Sequence, residues 1–285
     1  MERELWNQLC AIVVRLDNTW SNGFYRASEV LMVFFWAVVH DRPTSWACEA
    51  RHWNDHPPSR LPHQSTLSRR LRSQSVQSLL QKVEEELRGN VHGWWVQRID
   101  SKPLPVGAHS KDRSALWGRA RRGFVRGYRL HAIWGDGPLP SAWRIESMNV
   151  GDSTTACRLL ANLTGEGYIV GDSQYDSNRI HQVAAPHHQI VAPQRKPSIR
   201  LGHRRHEPSR VHCFEMVRRG FGRSLLHYRG QIERQFGNLT NFACGLSPLP
   251  NWVRGPHRVR MWVQAKLLIN AIRQNLRSKP MTATA

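Results

Sequence analysis

Apolar residues recur every three or four positions through roughly the first ninety residues. Leu5, Leu9, Ile12, Val13 and Leu16 form one helical stripe, and Val76, Leu79, Leu80, Val83 and Leu87 form another, which Gly89-Asn90 ends. Between them Val30 to Val39 reads VLMVFFWAVV, an apolar run that Ser28 precedes as a helix cap. Trp46, Ala50 and Trp53 mark a short helix that Pro57-Pro58 stops, and LPHQSTLSRRLRS opens another from Leu61 to Ser73. From Trp94 the period shortens to two. Trp94 to Asp100 and Tyr128 to Trp134 (YRLHAIW) predict strands, and Gly135-Asp136-Gly137 turns the chain into a third, Leu139 to Ser147, to make a hairpin. A capped helix from Asp152 through Leu163 precedes a short buried strand ending at Asp172, and His188 to Ala192 predicts a fifth strand. Leu225 to Leu239 and Arg258 to Leu276 read as helices, with a frayed tail from Ser278. The pattern predicts an α/β protein: a helical domain over 1–90, a mixed sheet flanked by helices over 91–277, and a tail over 278–285.

Charge changes this picture. The 41 Lys+Arg against 21 Asp+Glu leave a formal net charge of +20 over 285 residues, so a polyanionic partner is expected. With 40% hydrophobic residues and 12 Trp the chain can bury a core, which excludes a disordered basic tail. The five cysteines form no CxxC, pointing to a reducing compartment. The ten-residue apolar run is well short of the roughly 20 that cross a membrane, and the first residues lack a signal-peptide order, so a soluble cytoplasmic protein is expected.

The cations are grouped. Lys111 to Arg129, with Arg121, Arg122 and Arg126, holds seven Lys/Arg and one acid; Arg195 to Arg223, with Arg204 and Arg205, holds nine and two. Such runs are usually solvated faces; here they flank the candidate acids and suit tracks for DNA backbones. Leu61 to Ser73 has the proportions of a helix-turn-helix recognition segment, with Ser65 near the helix start and Arg69, Arg70 and Arg72 projecting, and reads equally well as a solvated basic face. His203, His206, His212 and Cys213 contain H-x-x-H without a second pair, so they read as solvated or DNA-facing groups rather than zinc ligands.

Three acids stand apart. Asp100 and Asp172 each close a predicted strand, the rim at which α/β sheets place ligands. Glu233 lies four residues after Arg229 on one helix face, opposite the apolar stripe Ile232, Phe236 and Leu239. Three carboxylates converging on a rim supply hard oxygen ligands for a divalent cation such as Mg²⁺. Each alone also reads as a cap or a salt-bridged surface acid. Asp136, Asp152 and Asp176 read as turn or cap residues, Asp176 at the start of a helix.

The order strand-Asp100, hairpin, helix, GD-x-x-YDS with Asp172, then Arg229-x-x-x-Glu233 resembles insertion-sequence transposases of the bacterial DDE type, over roughly 94–275. That resemblance implies a ribonuclease H-like core with Asp100, Asp172 and Glu233 as metal ligands and Arg229 as the catalytic arginine. It also implies two Mg²⁺ or Mn²⁺ ions, double-stranded DNA (element ends and target) as substrate, and at least a homodimer on DNA, near the nucleoid. The family signature often has a tyrosine three before the arginine and a basic residue seven after the glutamate. Here those positions are Leu226 and Thr240, with Tyr228 and Arg234 nearby as substitutes. Rival readings are a non-catalytic DNA-binding descendant and a metal-dependent nuclease that cuts without joining.

Overall fold

The run VLMVFFWAVV is apolar on every side because it forms a helix that other helices surround. The computed structural model describes residues 2–18, 24–53, 58, 60–89, 94–120, 123–195, 205–242, 245–246 and 248–278. Among the described residues five helices come first: α1 (Glu2–Leu16), α2 (Ala27–Val39), α3 (Thr44–Ala47), α4 (Gln64–Arg70) and α5 (Gln74–Arg88). α2 carries the apolar run and packs against the other four. Its cap is Arg26 rather than Ser28, whose backbone N–H instead donates to Asp17 Oδ2 at 2.8 Å. Among the described residues no helix is long and apolar enough to cross a membrane.

By mutual contacts the chain divides into two units: 1–89 with 241–246 and 261–285, and 90–240 with 247–260. The long helix near the C-terminus, which the sequence pattern groups with the sheet, thus gives its residues from Met261 onward to the helical unit. There Lys266 is fully buried, and its ammonium donates to the Val38 carbonyl at 2.9 Å and to Asp41 Oδ1 at 2.6 Å. Asp41 takes the left-handed conformation, φ 50°, just past the end of α2 and in doing so meets this buried cation.

The second unit is built on β1 (Val96–Pro105), β2 (Leu116–Ala120), β3 (Gly123–Trp134), β4 (Ala142–Ser147), β5 (Gly167–Val170) and β6 (His188–Val191). They form one mixed sheet in the order β2-β3-β1-β5-β6, with β4 on β3 beyond the end of β2. β3 runs antiparallel to β1, whereas β5 is parallel to β1 and β6 to β5. Six further helices follow among the described residues: α6 (Asp152–Leu160), α7 (Asn178–Ala184), α8 (Pro208–Arg218), α9 (Phe221–Leu226), α10 (Gly230–Thr240) and α11 (Pro256–Ser278).

The parallel strands are apolar on both faces because both faces are covered. Ile99, Ile169 and Ile190 meet α6 and α7 residues such as Ala156, Leu160 and Ile180. Val170 and Val191, one position on, meet Met216 of α8 and Leu225 of α9. This curled mixed sheet between helices is the ribonuclease H-like arrangement, with an all-helical N-terminal part before it. The predicted single helix 225–239 is broken: α9 ends at Leu226, His227–Arg229 is a 3-10 turn, and α10 begins at Gly230.

Asp176 departs from its expected role. Ser177 caps α7, accepting from the Ile180 N–H at 3.3 Å, and Asp176 itself is buried, 4% exposed. Its carboxylate takes the Arg210 guanidinium on both oxygens, at 2.6 and 3.0 Å, and the Arg195 N–H at 2.9 Å. Asp176→Asn keeps the shape but leaves the Arg210 charge without its counterion. It is expected to lower the unfolding free energy of this unit by about 3 kcal/mol, read as a fall in Tm; an unchanged Tm would return Asp176 to a capping role.

Candidate active site

Register brings the first two acids together. The last matched pair between β1 and β5 is Arg98 opposite Val170, and Asp100 and Asp172 lie two residues beyond each. The two carboxylates therefore leave neighbouring parallel strands at one level. Asp100 does not end its strand as the sequence pattern indicated: β1 continues to Pro105, paired on its other side with β3, where Asp100 opposes Ala132. Only the parallel half of the sheet stops here, because β5 ends at Val170. Gly171 makes that exit possible. A Cβ there would stand 2.7 Å from the Tyr175 ring and 3.0 Å from Ile99 Cγ2, so the ring can lie against the backbone below the acids only if residue 171 has no side chain. Asp172 then turns its carboxylate onto the Gln174 N–H at 2.8 Å.

Burial pushes the Asp100 carboxyl up from 3.8 to about 6; its bond from the Ser101 N–H at 2.7 Å opposes this, Asp172 adds to it, Arg229 opposes it and Asp152 adds to it. Burial is thus the main cost of the Asp100 charge, and the Asp172 carboxylate beside it adds to that cost. Asp152, though nearby, is already paired: Arg129 Nη1 meets both its oxygens at 2.8 Å and Ser101 Oγ donates at 2.8 Å. His131, on the same side of the sheet as Ser101, lies 3.5 Å from Asp152; burial pushes it down to about 4, with Asp152 opposing and Arg129 assisting, so it is a neutral imidazole. A buried Asp100 carboxyl of raised proton affinity beside a second carboxylate, with Arg229 and the half-buried Lys102 acting on it, suits a hard divalent ion. The third acid is not brought in. Glu233 is exposed, its side chain at 70%, and its carboxylate lies 3.9 Å from Arg229. Among the described residues no three His, Cys, Asp or Glu side chains are grouped to hold a metal.

Arg98 connects β1 to the helix that bears Arg229's neighbours. It points to the same face as Asp100, two positions earlier, and is 3% exposed. Its guanidinium donates to Gln231 Oε1 of α10, two residues before Glu233, and to Asp136 Oδ1 at 2.7 Å, and lies 5.8 Å from the centre of the Tyr228 ring. The sequence pattern left Arg98 unassigned, and Asp136 was a turn acid. The available signal was a charged residue on the same face of an apolar strand as the acid. Leu226 packs at the edge of the Val170–Val191 cluster, and Thr240 Oγ1 donates to the Phe236 carbonyl at 2.9 Å.

The basic residues divide. Arg69 and Arg72 are exposed on and just after the seven-residue α4, and Ser65 Oγ lies 2.8 Å from Nδ1 of His63, the residue that caps it. Arg70 is turned inward, donating to the Tyr25 carbonyl at 2.8 Å. Arg126 is likewise committed: it donates to the carbonyls of Ala115 at 2.8 Å, Ser110 at 2.9 Å and Asp112, fixing the loop before β2. Neither has a guanidinium free to track a phosphate backbone. Arg205 is exposed, and Arg121, Arg122 and Arg204 lie outside the described residues, as does His203.

Two outcomes test this geometry. An aspartate whose folded-state pKa lies above its unfolded value destabilises the fold increasingly as pH rises from about 4 to about 6, and fully above that. Asp100→Asn, measured in EDTA at neutral pH, is therefore expected to raise stability by about 3 kcal/mol, the gain vanishing near pH 4; a lower Tm at neutral pH would show that Asp100 is a stabilising group. Arg98→Lys cannot reproduce the fork that holds Gln231 and Asp136, and is expected to cost about 2 kcal/mol. Asp136→Asn, at a carboxylate 72% exposed, is expected to cost well under about 1 kcal/mol. Equal losses from the two would mean that the α10 contact contributes nothing.

No curated protein matches the chain. Comparison with protein families matches residues 95–269 to the Transposase DDE domain, a span that contains Asp100, Asp172, Arg229 and Glu233 and covers more than half of the sequence. With the register-matched acids on a ribonuclease H-like sheet, this match makes the chain a member of the transposases with a DDE domain.

Proposed function

We propose that the protein binds the ends of its own insertion sequence and cuts and joins DNA at the Asp100–Asp172 pair. The observation that carries the reading is the pair itself: two carboxylates at one level on adjacent parallel strands, inside the matched domain, with the Asp100 carboxyl raised by burial and by its partner's charge. Asp100 and Asp172, with Glu233 as the third ligand, would hold divalent cations, Mg²⁺ or Mn²⁺ and two in number, which lower the pKa of an attacking oxygen and stabilise a leaving one. Such cations are general in this family. Glu233 completes the set if α10 turns it from solvent toward the pair when DNA is bound.

The reaction is phosphoryl transfer in two displacements. Water attacks the phosphorus at the element end, a P–O bond forms, the bond to the 3′-oxygen breaks, and that oxygen leaves as a hydroxyl. The freed 3′-hydroxyl then attacks a phosphorus of target DNA, losing its proton and expelling the target's 3′-oxygen. Arg229 is near enough to act on Asp100 and suits the scissile phosphate, where a guanidinium can meet two oxygens at once. Arg98 keeps α10 against β1 while this happens. Exposed Arg69 and Arg72 suit backbone contacts in end recognition, and joining two ends calls for a homodimer on DNA, acting on cytoplasmic, nucleoid DNA.

The test uses an oligonucleotide carrying the element end, with Mg²⁺ or with EDTA. Asp100→Asn, Asp172→Asn and Glu233→Gln are each expected to lower cleavage and joining by more than the roughly 100-fold that loss of an outer metal partner costs, with DNA binding kept or slightly tighter. Cleavage by wild type without any joined product would favour the nuclease reading. Unchanged DNA binding with no cleavage by wild type under any metal would favour a non-catalytic DNA-binding protein.

A further inference from the structure

We propose that the β2–β3 ribbon is a stacking platform for unpaired bases of a DNA strand; as a role in transposition this rests on the reading above. Cα partners across the ribbon set Trp117 opposite Arg126 and Arg119 opposite Phe124. Opposed residues and residues two apart share a face, so Trp117, Arg119, Phe124 and Arg126 stand on one side of the ribbon. The rings are 64% and 71% exposed, among the most exposed large apolar side chains described. Among the described residues neither ring stacks on another aromatic ring or under a guanidinium.

The other face is closed. A Cβ on Gly118 would lie 2.0 Å from the Met148 carbonyl oxygen, so the chain at Met148 covers that side, while on the aromatic side the loop before β2 meets Arg126 and leaves both rings exposed. The ribbon is also stiffened at its base, where Arg126 is spent on the loop carbonyls rather than on solvent. Rings held on a stiff ribbon lose little conformational freedom when they meet a flat partner.

Charge selects the partner. Arg119 is exposed beside the rings. In a chain of net charge +20 such a patch disfavours a second copy of itself and favours a polyanion. A polyanion that also offers flat apolar faces is a nucleic-acid strand whose bases are unpaired, since paired bases present only their edges. Along β3, Phe124 lies eight residues from Ala132, the partner of Asp100, or about 26 Å at strand rise. That is roughly the length of eight stacked base pairs. Unpaired bases would thus be held well away from the reacting phosphate, on the same strand or its complement.

The test uses the full chain in EDTA, with oligothymidylate and a duplex of equal length as probes, by fluorescence anisotropy at one salt concentration. Replacing both rings (Trp117→Ala with Phe124→Ala) is expected to weaken oligothymidylate binding by on the order of 100-fold, about tenfold per ring, and duplex binding by no more than about twofold. Trp117→Phe is expected to restore most of its share, and Arg119→Ala to weaken both probes alike. No loss on oligothymidylate, or the same loss on both probes, would overturn the platform. So would a change from dimer to monomer in sedimentation without DNA, which would make this face a contact between copies. Because no cleavage is measured, the outcome stands apart from the acids: a fully active Asp100→Asn would end the transposase reading while leaving this binding result intact.

Discussion

Two carboxylates held at one level on adjacent strands repel each other, and the second unit is organised around keeping them there. The parallel register of β1 and β5 sets the level, and the sheet's two apolar faces fix the register, since a slip of one residue would exchange Ile169 and Val170 between opposite helix layers. Gly171 allows Tyr175 to close the floor beneath the pair. Burying the Asp100 charge, with Asp172 beside it, is a local cost to the fold, and the raised Asp100 pKa is its signature.

The surroundings separate the roles of the charges. On one face of β1, Arg129 and Ser101 satisfy Asp152, so that acid is structural although it adds to the field on Asp100. On the other face Arg98 ties Gln231, and with it α10, to the strand that bears Asp100. Arg229 is close enough to act on Asp100, whereas Glu233 extends into solvent one turn further along. In the proposed reading the third ligand, Glu233, stands on an adjacent helix and joins the two strand acids when substrate is bound.

Much of this was legible in the chain. Period-two segments gave the central strands and the hairpin after Tyr128, and period-three-to-four stripes gave the helices, because both depend on local burial. Asp100 and Asp172 stood out as acids bordering apolar strands. Other features were not legible, for reasons of context. β2 is an exposed edge strand whose Trp117 and Arg119 carry no buried alternation to read. The break between α9 and α10 lies in a sequence with helical periodicity on both sides. Asp176 resembles a cap by position, and only the distant Arg210 makes it a buried counterion. Arg70 and Arg126 looked like DNA contacts because composition cannot tell a solvated guanidinium from one spent on carbonyls.

The central claim is that Asp100 and Asp172 together bind a divalent cation. Calorimetric titration of Mn²⁺ into the full chain at pH 5.5, repeated in buffers of different ionisation enthalpy, measures both binding and the protons released. With the Asp100 carboxyl near 6, binding is predicted to release most of one proton at that pH, and neither binding nor release should survive in Asp172→Asn. Mn²⁺ binding with no proton release, or binding that persists unchanged in Asp172→Asn, would contradict the account.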